Sequence, residues 1–362
     1  MAEDFAQLVK QQADIVKIVG EYVRLRKAGA QNWSGLCPFH SEKTGSFSVH
    51  AVRQFYHCFG CGQSGDVFSF LQKVESLSFP EAVKAVAAKS GIPLPRREFA
   101  SPEEAAESRQ RSRLLELHEQ AAAWFEEQLG SAEAAGAREY LAGRGLTAEG
   151  IGKFRIGFAP ESYHALRLHL QALGRRGGSA PEAGEALQEA LRLCGLFSAK
   201  EQEDGTVGPL YARFRKRIMF PILNEQGRVI AFTARALDPN DKAKYLNSPE
   251  TPLYSKGQVL FNLDKARQTI RQLNFALLVE GQMDCITVSL AGIGNVLATS
   301  GTAFTEAQAR LLGRYTKRVI VNFDPDTAGA MAAEKSIALL TEEGFEVWVV
   351  TLDGGLDPDR FV

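Results

Sequence analysis

The feature that most restricts how this chain folds is a spaced set of soft ligands near its start. Cys37 and His40 stand three residues apart, as do Cys58 and Cys61, and 17 residues separate the two pairs. Cys-x2-His followed by Cys-x2-Cys offers four thiolate and imidazole donors, the set that a tetrahedral structural Zn²⁺ takes. One Cys-x2-Cys alone is explained as well by buried, unliganded thiols; two matched half-sites are not. Gly60 and Gly62 let the chain turn tightly enough for the backbone to approach the sulfurs. The spacer holds "SFSVH" and "RQFYHC", two alternating stretches that predict a β-hairpin between the half-sites. His50 and His57 are rival ligands, but His57 adjoins Cys58 and points to the opposite strand face. His40 is therefore the expected fourth donor. One zinc per chain would hold together a module with little core of its own.

These same residues carry a resemblance. "CPFHSEKTGSFSV" followed by "FYHCFGCGQSGDVFSFL" resembles the zinc-binding domain of bacterial replicative DNA primases of the DnaG type. Gly45 departs from the family, which has proline there; this changes loop stiffness and leaves the ligands alone.

A second constellation is acidic. "FALLVEGQMDCITVSLAG" reads as an apolar strand ending at Glu280, a glycine turn and a helix. "RVIVNFDPDTAGAMAAEKSIALL" repeats the design with Asp324 and Asp326, and "EVWVVTLDGGLDPD" ends in Asp353, Asp357 and Asp359. Alternating apolar strands and helices imply a parallel sheet, whose ligands bind beyond the carboxyl ends of the strands. The carboxylates then converge on one edge, where they repel one another unless cations sit among them. Oxygen ligands suit Mg²⁺ or Mn²⁺. A single Asp after a strand is explained equally well as a helix cap; three together are not. "EGQMD" followed by "DPDTAG" resembles the TOPRIM domain shared by primases, topoisomerases and some nucleases. The resemblance makes Glu280, Asp324 and Asp326 the catalytic metal-binding core, and Asp284, Asp357 and Asp359 further acidic positions of that centre. Gln282 stands where the family has tyrosine.

Charge is unevenly spread. Residues 211–271 carry 12 Lys and Arg against 5 Asp and Glu, and residues 272–362 carry 6 against 12. A basic stretch beside an acidic one suits a groove for polyanions next to a cation site. In "YARFRKRIMFPI", Arg213, Arg215 and Arg217 alternate; on a strand they would share one face, with Phe214 and Ile218 toward the core. This motif, with "YLAGRGL", "GRVIAFTAR" and "KYLNSPETPLYSKG", also resembles DnaG-type primases. By that likeness Arg213 and Arg215 bind template DNA, and Arg144, Arg235, Lys244, Tyr245 and Lys256 contact the triphosphate of incoming nucleotides.

The chain order gives a multidomain α+β and α/β fold. Residues 1–97 form a zinc ribbon with flanking helices, 98–112 a linker rich in Pro, Ser and charge, 113–271 a mixed α/β N-terminal subdomain of an RNA polymerase core, and 272–362 a TOPRIM parallel-sheet subdomain. One helix is expected from the N-terminus to Gly29, and two helices broken at Pro80. The stretch "LGRRGGSAPEAGEALQEALRLCGL", within the 170–200 segment, reads as a loop and a helix, "ILNEQGRVIAFTAR" as a hairpin, and Cys194 and Cys285 as core residues. There is no run of 18 apolar residues to span a membrane, and the N-terminus, acidic and polar, is wrong for a secretory signal. Five cysteines cannot all pair, so a reducing cytoplasm is expected. No P-loop motif occurs. The resemblance implies a primase that makes RNA primers on single-stranded DNA from ribonucleoside triphosphates. Its implied partners are a replicative helicase, reached through a C-terminal domain expected beyond this sequence, and a single-stranded DNA-binding protein. A TOPRIM nuclease or topoisomerase, and a non-catalytic zinc-ribbon DNA-binding module, are the alternatives.

Overall fold

In a computed structural model, which describes residues 2–75, 77, 79–93, 101–176, 181–200, 208–241, 243–299, 304–323, 327–352 and 357–361, the chain divides into two units, Met1–Phe99 and Ala100–Val362. The first unit runs α1 (Ala2–Gln12), α2 (Ile15–Gly20), β1 (Arg26–Lys27), β2 (Asn32–Gly35), β3 (Phe47–His50), β4 (Phe55–Cys58), β5 (Ser64–Gly65), α3 (Val67–Val74) and α4 (Phe79–Lys89). Its strands form one antiparallel sheet in sequence order. The expected hairpin is β3–β4, with Phe47 opposite Cys58.

Two expectations for this unit need correction. The single N-terminal helix is broken in two, because Asp14 caps α2 by accepting from Val16 N at 2.8 Å and Lys17 N at 3.3 Å. After Gly20 the chain soon enters β1 instead of continuing as helix to Gly29. Pro80 does not break the later helices either; it lies in the first turn of α4, where a missing N–H costs nothing. The unit also has a fuller core than its size suggested. Phe47 and Tyr56 stack at 5.2 Å, and Phe70 meets Tyr56 edge-on at 5.6 Å, all three fully buried.

The second unit opens with α5 (Pro102–Gln128), α6 (Ala135–Gly143), α7 (Ala148–Lys153), β6 (Gly157–Ala159), α8 (Ala165–Arg176), α9 (Pro181–Leu193), β7 (Phe197–Ser198), β8 (Tyr211–Ala212), β9 (Arg217–Leu223), β10 (Val229–Ala236) and β11 (Tyr245–Asn247). It ends with α10 (Leu263–Leu273), β12 (Ala276–Val279), α11 (Gln282–Leu290), β13 (Val296–Ala298), α12 (Glu306–Leu312), β14 (Arg318–Val321), α13 (Thr327–Glu342), β15 (Glu346–Val349) and α14 (Pro358–Phe361). The expected linker at 98–112 is helical from Pro102 onward: Ser101 caps α5 by accepting from Glu104 N, and Pro102 is preset for the first turn.

Two four-stranded sheets organise this unit, beside the short pair β7–β8. The first, antiparallel, has the order β11-β10-β9-β6 and contains the expected hairpin β9–β10. It is covered on both faces: Ile218, Phe220 and Ile222 enter one apolar cluster, while Met219, Phe232 and Ala234 enter another. The second sheet has the order β13-β12-β14-β15 and is parallel throughout, as expected. Its strand β13 went unread in the sequence; three residues carry too little pattern. Cys194 and Cys285 are buried in apolar clusters, as expected.

The antiparallel sheet meets α5 through a position that admits no side chain. A Cβ on Gly157 of β6 would lie 2.5 Å from the Phe125 carbonyl carbon and 2.7 Å from its oxygen. Gly157→Ala must push α5 away from β6. We expect it to cost on the order of 1–3 kcal/mol, read as a lower unfolding midpoint in urea with an unchanged slope.

Candidate functional site

In the first unit, one metal-ligand atom from each of Cys37, His40, Cys58 and Cys61 lies within 4.8 Å of the others. Cys37 and Cys58 are buried; Cys37 Sγ is 3.8 Å from Cys61 Sγ, and His40 Nδ1 is 3.8 Å from Cys58 Sγ. Each cysteine half-site bends its backbone onto a sulfur: Phe39 N donates to Cys37 Sγ and Cys61 N to Cys58 Sγ, both at 3.4 Å. The donor set and its closeness fit a structural zinc. Burial pushes the Cys37 thiol up to about 12. At Cys58 burial is outweighed by donors from Ser46 and the backbone of Cys61 and Gly60, which bring it down to about 6. A metal ion must therefore displace the Cys37 proton, and its hold weakens as pH falls.

Sequence reasoning missed the carboxylate that braces this group. Glu42 accepts from Cys37 N at 2.7 Å, Ser46 N at 3.0 Å and Ser46 Oγ at 2.5 Å, and lies 3.3 Å from His40 Nε2. With Nε2 facing Glu42, the ring turns Nδ1 toward the sulfurs. Gly60 is where that ring passes: a Cβ there would be 2.7 Å from His40 Nε2. The rivals point elsewhere; His50 Nδ1 accepts from Arg53 N and His57 packs on Phe59.

In the second unit, a cavity of about 410 Å³ gathers residues from both sheets. It is lined by Arg144, Arg235, Lys244, Tyr245 and Lys256, all five expected triphosphate contacts, and by Glu280, Asp284 and Asp357 from the acidic set. Gly281, Gln282, Thr233, Asn247 and Met283 complete the wall; the last three were not anticipated, since their types carry no charge to draw notice. A larger hollow of about 540 Å³ is lined, among the described residues, by Gly184, Glu185, Gln188, Glu189 and Arg192 of α9.

Local structure explains the convergence. Pairing of β10 with β11 sets Arg235 opposite Tyr245 and Thr233 opposite Asn247, whose side chains bond at 2.5 Å. Tyr140 of α6 lies under both arginines, 3.8 Å from the Arg235 guanidinium carbon and 5.4 Å from that of Arg144. On the other side, β12 delivers Glu280 directly after Val279, and Gly281 is the N-cap of α11, which carries Asp284 in its first turn. α14 packs against α11 and brings Asp357 to the cavity. Asp324 and Asp326 lie outside the described residues, as does the side chain of Asp359. The chain bearing Asp324 leaves β14, which runs parallel to β12 with Leu278 opposite Val321, so both exit at one edge.

The electrostatics are those of a crowded site. Burial first, and Asp357 second, push the Asp284 carboxyl above its ordinary value, while Arg144 and backbone N–H groups oppose the shift. Burial lowers the Lys256 ammonium, Glu250 pulling the other way.

The shared arginine face was not found. Between β8 and β9 the chain turns, with Lys216 at φ 49°, so Arg213 and Arg215 lie in a loop and only Arg217 is on a strand. Arg217 is 6% exposed, donating to Ala243 O at 2.7 Å and Asp241 Oδ2 at 2.5 Å; it is a tie and not a surface cation. Phe214 and Ile218 face the core as expected. Arg213 donates to Asn247 O at 3.3 Å, beside the cavity, and Arg215 to Ala212 O at 2.7 Å. Among the described residues no carboxylate pairs with either.

Comparison with known proteins agrees with this layout. Three family models match in succession: CHC2 zinc finger over residues 1–101, DNA primase catalytic core, N-terminal domain, over 124–267, and Toprim-like over 277–362. A DNA primase of Listeria monocytogenes is 43% identical over 368 residues, covering 99% of this chain and 56% of its own length. The chain thus spans little more than half the length of the curated relatives it matches. Among solved structures, the zinc-binding and RNA polymerase domains of the Aquifex aeolicus primase give a TM-score of 0.59 at 32% identity, covering 99% of this chain and 81% of that one. A DnaG primase catalytic domain bound to single-stranded DNA gives 0.57 at 36%, covering 70% and 75%.

Two outcomes follow. Cys61→Ala should lower bound zinc from one per chain to none and abolish the near-ultraviolet signal of the Phe47–Tyr56 stack, as metal analysis and circular dichroism will read. For Asp284, the folded state holds the carboxyl proton more tightly than the unfolded chain does, so its contribution to stability is full below the unfolded value of about 3.9 and is lost as pH rises through the folded one. Asp284→Asn should therefore melt higher than the parent at pH 7 in a chelator, and the gap should close below about pH 4.

Proposed function

This chain belongs to the bacterial DNA primase family, and on that footing we propose that it makes short RNA primers on single-stranded DNA by divalent-metal-dependent nucleotidyl transfer. The observation that carries the reading is the cavity, in which five groups suited to a triphosphate face carboxylates suited to Mg²⁺ or Mn²⁺.

Arg144, Arg235, Lys244 and Lys256 supply separated positive charge for the triphosphate, and Tyr245 closes the wall beside them. Lys256 is well placed for this, since burial disfavours its charge until an anion arrives. Arg213 and Arg215 hold the template through its phosphates. The carboxylates of Glu280, Asp284 and Asp357, with Asp324, Asp326 and Asp359, hold the divalent cation; burial and crowding at Asp284 are the strain that such a charge relieves. When bound, that metal supplies Lewis-acid activation of a hydroxyl and neutralises phosphoryl charge. The primer 3′-oxygen attacks the α-phosphorus of the nucleotide, its proton leaves, the bond to the β-phosphate bridging oxygen breaks, and pyrophosphate departs. No protein nucleophile is required.

Cys37, His40, Cys58 and Cys61 hold zinc in a separate, structural role. Residues 113–271 and 272–362 are the two parts of the polymerase core, and the catalytic cavity draws on both. No described helix is long and apolar enough to cross a membrane. We take the cytoplasm as the working compartment, with a replicative helicase and a single-stranded DNA-binding protein as further partners. A nuclease or topoisomerase has no use for five triphosphate-type contacts, and a purely structural acidic cluster would not be set opposite them; neither alternative is favoured.

Asp324→Asn keeps the side chain's shape and removes its charge. Primer synthesis on single-stranded DNA with all four ribonucleotides should fall by orders of magnitude, with little restored by Mn²⁺, while DNA binding survives. Asn caps a helix about as well as Asp, so near-normal synthesis would return Asp324 to a capping role.

A further inference from the structure

Two aromatic rings packed on Arg215 of the basic loop, Tyr163 and Tyr211, are not used by the reading above. The Arg215 guanidinium carbon lies 4.2 Å from the centre of the Tyr163 ring and 5.9 Å from that of Tyr211, and the two rings are 6.1 Å apart. Tyr163 is 50% exposed, and Tyr211 and Arg215 are half-buried. We infer that Tyr163, Arg215 and Tyr211 form a stacking platform for an unstacked base of single-stranded DNA. The inference rests on the template reading and adds to it a contact with the bases.

The cluster is more than a clip. Ala212 N already donates to Tyr163 O at 2.8 Å, fastening the 160–164 loop to β8 through backbone alone. Ser162 Oγ accepts from Ala165 N at 3.1 Å and fixes the turn into α8. The Tyr163 ring is not needed for either bond, yet it is held out into solvent by the guanidinium beside it. That guanidinium is in turn pinned by its bond to Ala212 O. A planar cation and two aromatic faces, pre-positioned and partly open, offer what a base face binds: stacking area with cation–π attraction, indifferent to sequence.

Position supports the same occupant. Arg213, two residues from Arg215, donates to Asn247 O, and Asn247 lines the cavity. A strand whose phosphates cross Arg213 on leaving the cavity therefore reaches the platform next. Lys216 and Glu161, paired at 2.9 Å and both exposed, mark its edge.

The test compares this chain's affinity for oligothymidylate and for an abasic oligonucleotide of equal length, by fluorescence anisotropy over a range of salt. The phosphates are the same in both, so the difference reports bases alone. Oligothymidylate should bind more tightly by roughly tenfold, the scale of one base–aromatic stack. Tyr163→Ala and Tyr163→Leu should each erase most of that preference and leave the salt dependence unchanged, while Tyr163→Phe keeps it. The Leu variant retains apolar bulk, so a fold defect in the Ala variant is separated from loss of the ring. Equal binding of the two oligonucleotides by the parent, or a preference that survives both substitutions, overturns the platform. Binding of neither overturns the template reading itself.

Discussion

Parallel pairing of β12 with β14, Leu278 against Val321, is the constraint on which the second unit's chemistry depends. Parallel strands leave a sheet in the same direction, so anything placed just after them collects at one edge. Glu280 follows one strand directly and the Asp324 segment follows the other. A slip by one residue would turn each strand's apolar side chains onto the wrong face and scatter the acids. The apolar content of β12 and β14, packed among Leu297, Leu312 and Leu340, is thus what holds Glu280 at that edge.

An edge crowded with negative charge is unstable alone. The antiparallel sheet sets Arg235 and Lys244 opposite it, and α6 adds Arg144 at its end. Two of these cations, Arg144 and Arg235, share the ring of Tyr140. The cavity is therefore a balance of two charged walls from two sheets, each too polar to be closed without the other or a ligand.

Most of this was legible. Zinc ligands announce themselves because metal geometry limits spacing, and strand–turn–helix units because apolar periodicity is strong. What failed has physical reasons. Asp14 ended a helix that periodicity carried onward, since one cap outweighs a few favourable residues. Three alternating arginines looked like a strand face, yet Lys216 takes a left-handed backbone that no alternation reveals. Glu42 and Tyr140 were missed because their roles are to position other groups, and that depends on contacts made far along the chain or around a turn.

The buried Arg217 carries a consequence for how this protein can change over time. Its guanidinium ties β9 to the loop that ends at Lys244, through Asp241 and the Ala243 carbonyl. Substitutions and length changes in that loop are open to drift only while an acceptor remains within reach of Arg217. Loss of Arg217, conversely, takes this donor from the Ala243 carbonyl and the Asp241 carboxylate. Three neighbouring arginines that look alike in a sequence thus answer to different constraints: two sit half-buried in a loop, each bonded to a backbone carbonyl, and the third is tied to its own neighbouring loop.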